Sequence, residues 1–166
     1  MPKLNLPLAA GTALIPLILG FIWYNQKLFG NAWMKAAGVT AEDGKKMNMP
    51  VVFALTYFFS FLLSVALHFM TIHQFAFGAL LEPAMGFTDP EGFKEAITAA
   101  ADISAHKFRS WTHGMVHGII TGITFVLPLL AINAMFELKN WKYILINAGY
   151  WTLCLAVMGA IICQFA

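Results

Sequence analysis

Long apolar runs alternate in this chain with short segments that carry all of its charges. The runs without Lys, Arg, Asp or Glu lie between Lys3 and Lys27, between Lys46 and Glu82, between Arg109 and Glu137, and after Lys142. A charged side chain at the centre of a membrane helix costs about 2.5 to 3.5 kcal/mol, and about 20 apolar residues cross the hydrocarbon core. The pattern therefore predicts four membrane spans, at about residues 4–25, 50–76, 110–134 and 142–165.

The composition agrees with a membrane protein. Of the 166 residues, 60% are hydrophobic and only 11% are charged, unlike the mixture of a soluble domain. The net charge of +2 is small and no basic run is interleaved with aromatics, which excludes nucleic-acid binding. We predict an all-α fold in a single domain of residues 1–166, an integral membrane bundle of four transmembrane helices with short amphipathic connecting helices.

The connecting segments differ in their number of cations. The segments at 25–49 and 137–142 share one side and carry six of the ten Lys and Arg residues, whereas the opposite side carries four. Cytoplasmic loops of membrane proteins are enriched in Lys and Arg. We therefore expect these two segments in the cytoplasm and both termini outside.

The connection before the third span contains a helix signal. In TDPEGFKEAITAAADISAHKF, Asp89 suits an N-cap, and Pro90 suits the first helical position. Phe93, Ile97 and Ala100 follow at helical spacing and form an apolar stripe. The segment therefore predicts a helix that lies along the membrane surface and leads into the third span.

Histidines gather in one half of the predicted membrane region. They are His68, His73, His106, His113 and His117. His113 and His117 are four residues apart, so a helix presents them on one face. Ionisable side chains are rare inside membrane spans and are candidates for function there. We expect His117 to meet His68 at a comparable depth, with His73 and His106 nearer water.

The chemistry of this candidate cluster leaves three interpretations open. A helical His pair with a third ligand can bind zinc or copper, and His68 facing His113 or His117 across the bundle could ligate a haem. Against both stands the absence of an H-E-x-x-H motif and of a nearby cysteine ligand. A hydrogen-bonded or proton-responsive cluster without any cofactor is the interpretation that the sequence favours.

Small residues form a second pattern beside the histidines. Gly114, Gly118 and Gly122 recur every four residues, which allows another helix backbone to approach closely. The fourth span carries a similar series, Ala148, Thr152, Ala156 and Ala160. We expect the two series to be packing faces and candidate partners.

Other polar and helix-breaking residues within the spans have simpler explanations. Asn147 requires a hydrogen-bond partner in the bundle, and Pro16 and Pro128 are expected to kink the first and third spans. The hydroxyls of the second span (Thr56, Ser60, Ser64, Thr71) and of the third (Ser110, Thr121, Thr124) form polar seams. Such hydroxyls usually donate to carbonyls of their own helix rather than line a path.

Three stretches of this chain resemble a known family. They are FIWYNQKLFGNAWMKAAGVTAED after the first span, HGMVHGIITGITFVLP in the third, and INAMFELKNWKYILINAGYWTLCLAVMGAII across the last loop and span. The chain is similar over nearly its whole length to the bacterial domain-of-unknown-function 1761 family. The resemblance implies a four-helix membrane protein of the bacterial cell envelope, and it implies no reaction, ligand or catalytic residue.

These observations predict a non-enzymatic component of the bacterial inner membrane, oligomeric or accessory to another membrane protein. No Ser-His-Asp arrangement, P-loop or dinucleotide-binding glycine pattern is present, so we predict no catalytic residues. The first alternative is a transport or channel-like protein that uses the polar seams of spans two and three. The second is a metal or haem protein with His68, His113 and His117 as ligands. The expected partners are the lipid bilayer and a second copy or another membrane protein.

Overall fold

The computed structural model describes residues 3–81, 83, 88–104 and 107–166, and within them it contains helices and no strand. The helices are α1 (Leu6–Thr12), α2 (Ile15–Trp23), α3 (Gly30–Ala37), α4 (Ala41–Lys45), α5 (Met49–Thr71), α6 (Gln74–Leu81), α7 (Pro90–Ser104), α8 (Trp111–Thr121), α9 (Leu127–Phe136) and α10 (Trp141–Phe165). A π-helical turn, Gly122–Val126, joins α8 to α9. The predicted all-α fold is confirmed.

Within the described residues, four helical stretches are long and apolar enough to cross a membrane. They are Leu6–Trp23, Met49–Thr71, Trp111–Phe136 and Trp141–Phe165. The second ends at Thr71, five residues before the predicted end at 76, because Ile72 adopts an extended conformation with φ −105° and ψ 93°. The predicted span was longer because no charged residue interrupts the apolar run after Thr71. A change of backbone direction need not be accompanied by a charged residue, so the sequence did not indicate it.

The first and third spans are interrupted beside their prolines. Helix α1 ends before a turn at 13–14, and Pro16 lies in the first turn of α2. The π-helical turn directly precedes Leu127 and Pro128. A proline nitrogen cannot donate to the carbonyl four residues earlier, so the helix must rearrange there. The irregularities thus lie where the sequence predicted kinks.

Helix α10 is the centre of the bundle. In the most apolar 18-residue stretch of α10, 56% of the residues are buried. The corresponding share is 11% to 22% in the other three spans. It packs against both halves of the first span, against α5, and along the whole third span. Leu67 and Ile72 meet Leu155, Met158 and Ile162 in the hydrophobic core. The other spans therefore surround α10 and leave their outer faces to lipid.

The glycines of the third span face α10 at backbone distance. A Cβ on Gly118 would overlap the backbone of Leu155 and Ala156, and one on Gly114 would overlap the carbonyl of Gly159. A Cβ on Gly122 would lie 2.7 Å from the Cα of Thr152. Each glycine therefore leaves space that the neighbouring helix fills.

The partner face on α10 differs in part from the predicted series. Thr152 and Ala156 belong to it, whereas Gly159 takes the place that the sequence assigned to Ala160. A strict four-residue series drifts by about 40° per step around a helix of 3.6 residues per turn. Ala148 and Ala160 are also buried, at 4% and 8% exposure. Because the stripes pack within one chain, they give no separate evidence for self-association.

Aromatic side chains anchor the segment after the first span to α10. Asn147 Oδ1 accepts hydrogen bonds from the Tyr24 hydroxyl at 2.8 Å and from Trp33 Nε1 at 3.2 Å. Lys139 Nζ donates to the carbonyl of Ala37 at 2.6 Å, which joins the two lysine-bearing connections. Burial raises the pKa of the Tyr24 hydroxyl well above its usual range, so this group remains a neutral donor. Asn147 thus has the partners that its position requires.

Helix α7 begins as the sequence predicted. Asp89 Oδ1 accepts from the backbone nitrogen of Gly92 at 2.9 Å, as an N-cap does, and Pro90 is the first helical residue. Within the predicted apolar stripe, Ile97 is buried, with 7% exposure.

Candidate metal centre

The first part of the centre is the turn that follows α5. Thr71 ends the helix, Ile72 is extended, and the chain then turns so that the backbone nitrogen of Ala76 donates to the carbonyl of His73 at 2.9 Å. This reversal places the exposed His73 beside the start of the third span. His73 would point elsewhere if α5 continued to residue 76.

The second part is the first two turns of α8. The Ser110 hydroxyl accepts from the backbone nitrogen of His113 at 3.2 Å and so fixes where the helix begins. His113 lies in the first turn and His117 one turn further on the same face, both half-buried. The helix start therefore determines the height at which the two imidazoles meet His73.

Three imidazole nitrogens converge. His113 Nε2 lies 2.9 Å from His73 Nε2 and 3.1 Å from His117 Nε2. One ligand atom from each residue lies within 4.8 Å of the other two. The ring centroids are 4.6 to 5.0 Å apart. The three side chains thus form one group at the boundary of the membrane region.

Hydrogen bonding alone does not explain this arrangement. A neutral imidazole nitrogen carries either one proton or one lone pair, so it makes one well-aligned hydrogen bond. His113 Nε2 nevertheless has two neighbours at hydrogen-bond distance. A cation between the rings would use all three lone pairs at once. Zinc–nitrogen bonds of 2.0–2.1 Å in tetrahedral geometry place the nitrogens about 3.3 Å apart, close to both observed separations.

Phe108 covers the group from one side. Its ring centroid lies 5.3 Å from that of His113 and 5.9 Å from that of His73. Its backbone has φ 62°, which is costly for a bulky residue, and its carbonyl accepts from Cys163 Sγ at 3.0 Å. Cys163 is a free, buried thiol on α10. Neither residue could be assigned to the group from the sequence, because neither a lone aromatic nor a lone cysteine forms a motif.

Among the described histidines, His68 is not part of the group. His68 is fully buried, its Nδ1 lies 2.8 Å from the carbonyl of Ser64, and its Nε2 has no hydrogen-bond partner within the described residues. His68 therefore makes no direct hydrogen bond to His117, since the seam of α5 faces the first span, where the Ser64 hydroxyl lies 2.7 Å from that of Thr12. His106 lies outside the described residues.

The remaining hydroxyls of the seams are mostly bonded within their own helices. Thr71 donates to the carbonyl of Leu67 at 2.7 Å, Thr121 to that of His117 at 2.8 Å, and Thr124 to that of Ile120 at 2.8 Å. Thr124 lies on the exposed surface of the third span. These contacts give the transport alternative no support.

Fold and site together define a four-span, all-helical integral membrane protein with a histidine group at one boundary. The model of a family described as a protein of unknown function (DUF1761) matches residues 7–163. The chain therefore belongs to the DUF1761 family, as the resemblance of its sequence predicted. Neither the curated proteins nor the solved structures include a match to this chain.

Proposed function

We propose that this protein is a non-enzymatic accessory component of the bacterial inner membrane that binds one divalent transition-metal ion through His73, His113 and His117. The observation that supports this best is the convergence of three Nε2 atoms, two pairs of which lie 2.9 and 3.1 Å apart. The proposed ligand set therefore differs from the one expected from the sequence, because His73 replaces His68 as the ligand near the end of the second span.

The ligand set indicates which ion would bind. Imidazole nitrogens suit zinc, copper and nickel, whereas magnesium and calcium prefer oxygen ligands. Three histidines leave the fourth coordination position of the ion open. Because His73 is exposed, water can reach that position. Among the described residues the group consists of imidazoles alone, and the function that we assign to it is metal binding.

Titration of the metal-free, detergent-purified protein with Zn²⁺ tests the proposal. We expect one Zn²⁺ per chain by calorimetry, and Co²⁺ is expected to give the visible absorption of a tetrahedral site. His113→Gln should weaken binding by more than about 100-fold, since loss of an outer-shell partner alone costs 10- to 100-fold in affinity.

His68→Gln is the matched control. It also removes an imidazole from the same membrane half, but from a buried position outside the group. It should retain one Zn²⁺ per chain with the wild-type Kd. Equal loss of affinity in both variants, or no stoichiometric binding by the wild type, would contradict the proposal.

The proposed orientation places the metal centre on the outside, with both termini, and the lysine-bearing connections in the cytoplasm. A membrane-impermeant maleimide should label Glu95→Cys in intact cells and Gly44→Cys only after permeabilisation. Both positions are exposed, while Cys154 and Cys163 are buried and should give little background. The reverse labelling pattern would invert the orientation and leave the four spans intact.

Self-association stays a prediction, and light scattering of the protein in detergent measures it.

A further inference from the structure

A lateral cavity lies at the other end of the bundle from the histidines. Its volume is about 550 Å³, within the range of sites for small ligands. Helices α2 and α5 form its walls and α10 its floor, and its lining includes Gly20, Phe21, Tyr24, Phe53, Thr56 and Tyr150. Gly20 provides depth, because a Cβ there would already lie 3.4 Å from the Tyr150 hydroxyl.

The polar atoms around this cavity already have partners. The Tyr150 hydroxyl donates to the carbonyl of Pro16 at 2.6 Å, and the Thr56 hydroxyl donates to that of Val52 at 2.8 Å. The Tyr24 hydroxyl donates to Asn147. A polar solute would therefore find few free hydrogen-bonding groups, whereas a hydrocarbon chain requires none.

The mouth of the cavity opens toward lipid. Phe21 and Phe53 face each other there with ring centroids 5.6 Å apart, and Phe21 is 67% exposed. An apolar void that stays empty loses the dispersion contacts of its lining. In a bilayer, the group available in quantity to supply those contacts is an acyl chain.

Two lysines follow residues of the cavity lining closely in the sequence. Lys27 follows Tyr24 by three residues and Lys35 follows Trp33 by two, and both Tyr24 and Trp33 line the cavity. Lys45 and Lys46 pair with Glu42 and Asp43, whereas no ion pair involves Lys27 or Lys35 within the described residues. This charge distribution complements a negatively charged headgroup.

We propose that the cavity binds one acyl chain of an anionic phospholipid, whose headgroup lies against Lys27 and Lys35. This lipid site is independent of the metal centre. An anionic phospholipid would then bind where the first, second and fourth spans meet.

Photo-crosslinking of the full chain in phosphatidylcholine vesicles tests the proposal. The probe is phosphatidylglycerol with a diazirine in one acyl chain, and mass spectrometry locates the labelled residues. We expect label on the cavity residues of α2 and α5, at several times the level on the lipid-exposed face of α9. Uniform label over the exposed surfaces of all four spans would show annular lipid only and overturn the proposal.

Substitutions separate the cavity from the surrounding lipid. Gly20→Leu should fill the cavity and abolish the label there, whereas Gly11→Leu should leave it unchanged, since nothing lies within 4 Å of a Cβ at Gly11. Thr56→Phe fills the cavity from α5 and serves if Gly20→Leu does not fold. Unchanged label in a folded cavity-filling variant would contradict the assignment.

Two double-lysine variants test whether the headgroup lies against Lys27 and Lys35. Replacing both Lys27 and Lys35 by Gln should reduce the preference for phosphatidylglycerol over a phosphatidylcholine probe by about fivefold per lysine. The double variant of Lys45 and Lys46 should reduce it less, because those cations are paired. Equal effects of the two double variants would remove the headgroup from the proposal.

Discussion

Gly118→Leu is expected to prevent the chain from folding to its native bundle. A Cβ at this position would overlap the carbonyl of Leu155 and lie 2.6 Å from the Cα of Ala156. These are backbone atoms of the central helix, so no side chain can rotate away to make room. Overpacking in a close-packed interior costs about 1 to 3 kcal/mol and sometimes more, and here we expect at least the upper end of that range. Thermal unfolding in detergent, followed by size-exclusion chromatography, measures the loss.

Gly11→Leu is the matched control for this substitution. Gly11 lies in α1, is exposed, and has nothing within 4 Å of an added Cβ. Leucine there should be neutral or stabilise by up to about 1 kcal/mol, because glycine has the lower helix propensity. If Gly118→Leu instead kept the wild-type mass and melting temperature, the close packing of α8 on α10 would be refuted.

The second large effect is that of metal on stability. An ion that binds the folded state at 100 times its Kd stabilises that state by about 2.7 kcal/mol. For a chain of this size that corresponds to a rise in melting temperature of about 5 to 10 °C. His113→Gln should melt at the same temperature with Zn²⁺ and with a chelator.

This stabilisation should depend on pH in one direction. A protonated imidazole has no lone pair for the ion, so protons compete with the metal for the three histidines. The rise in melting temperature should therefore be larger at about pH 8 than at about pH 5. Melting curves at both pH values, with Zn²⁺ or a chelator, measure it. An equal rise at the two pH values would indicate ligands other than histidine.

The spans were predictable from the sequence because charge is expelled from the hydrocarbon core. The approach of Gly114, Gly118 and Gly122 to another helix was also predictable, since lipid gives helices no hydrophobic reason to associate and small residues permit contact. The central place of α10 was not predictable. Its apolar residues resemble those of the other spans. Apolar side chains are favoured both where a helix is surrounded by protein and where it is surrounded by lipid, so composition does not distinguish the two positions.

The histidine group was predicted in part for a related reason. The spacing of His113 and His117 identified a shared face, but the rotation of α5 about its axis depends on packing. That rotation turns His68 toward the core. The end of α5 at Thr71, which places His73 in the group, depends on backbone angles at Ile72. No residue there is a recognised helix breaker.

The position of α10 has a consequence for biogenesis. The other three spans enter the bilayer before α10 has been synthesised, so for that time they lack the helix around which they later pack. Each must therefore persist as a separate inserted helix. Their mean hydropathies of 2.0, 2.1 and 2.1 exceed the 1.8 of α10, which agrees with that requirement. The bundle can therefore assemble only after α10 has been translated.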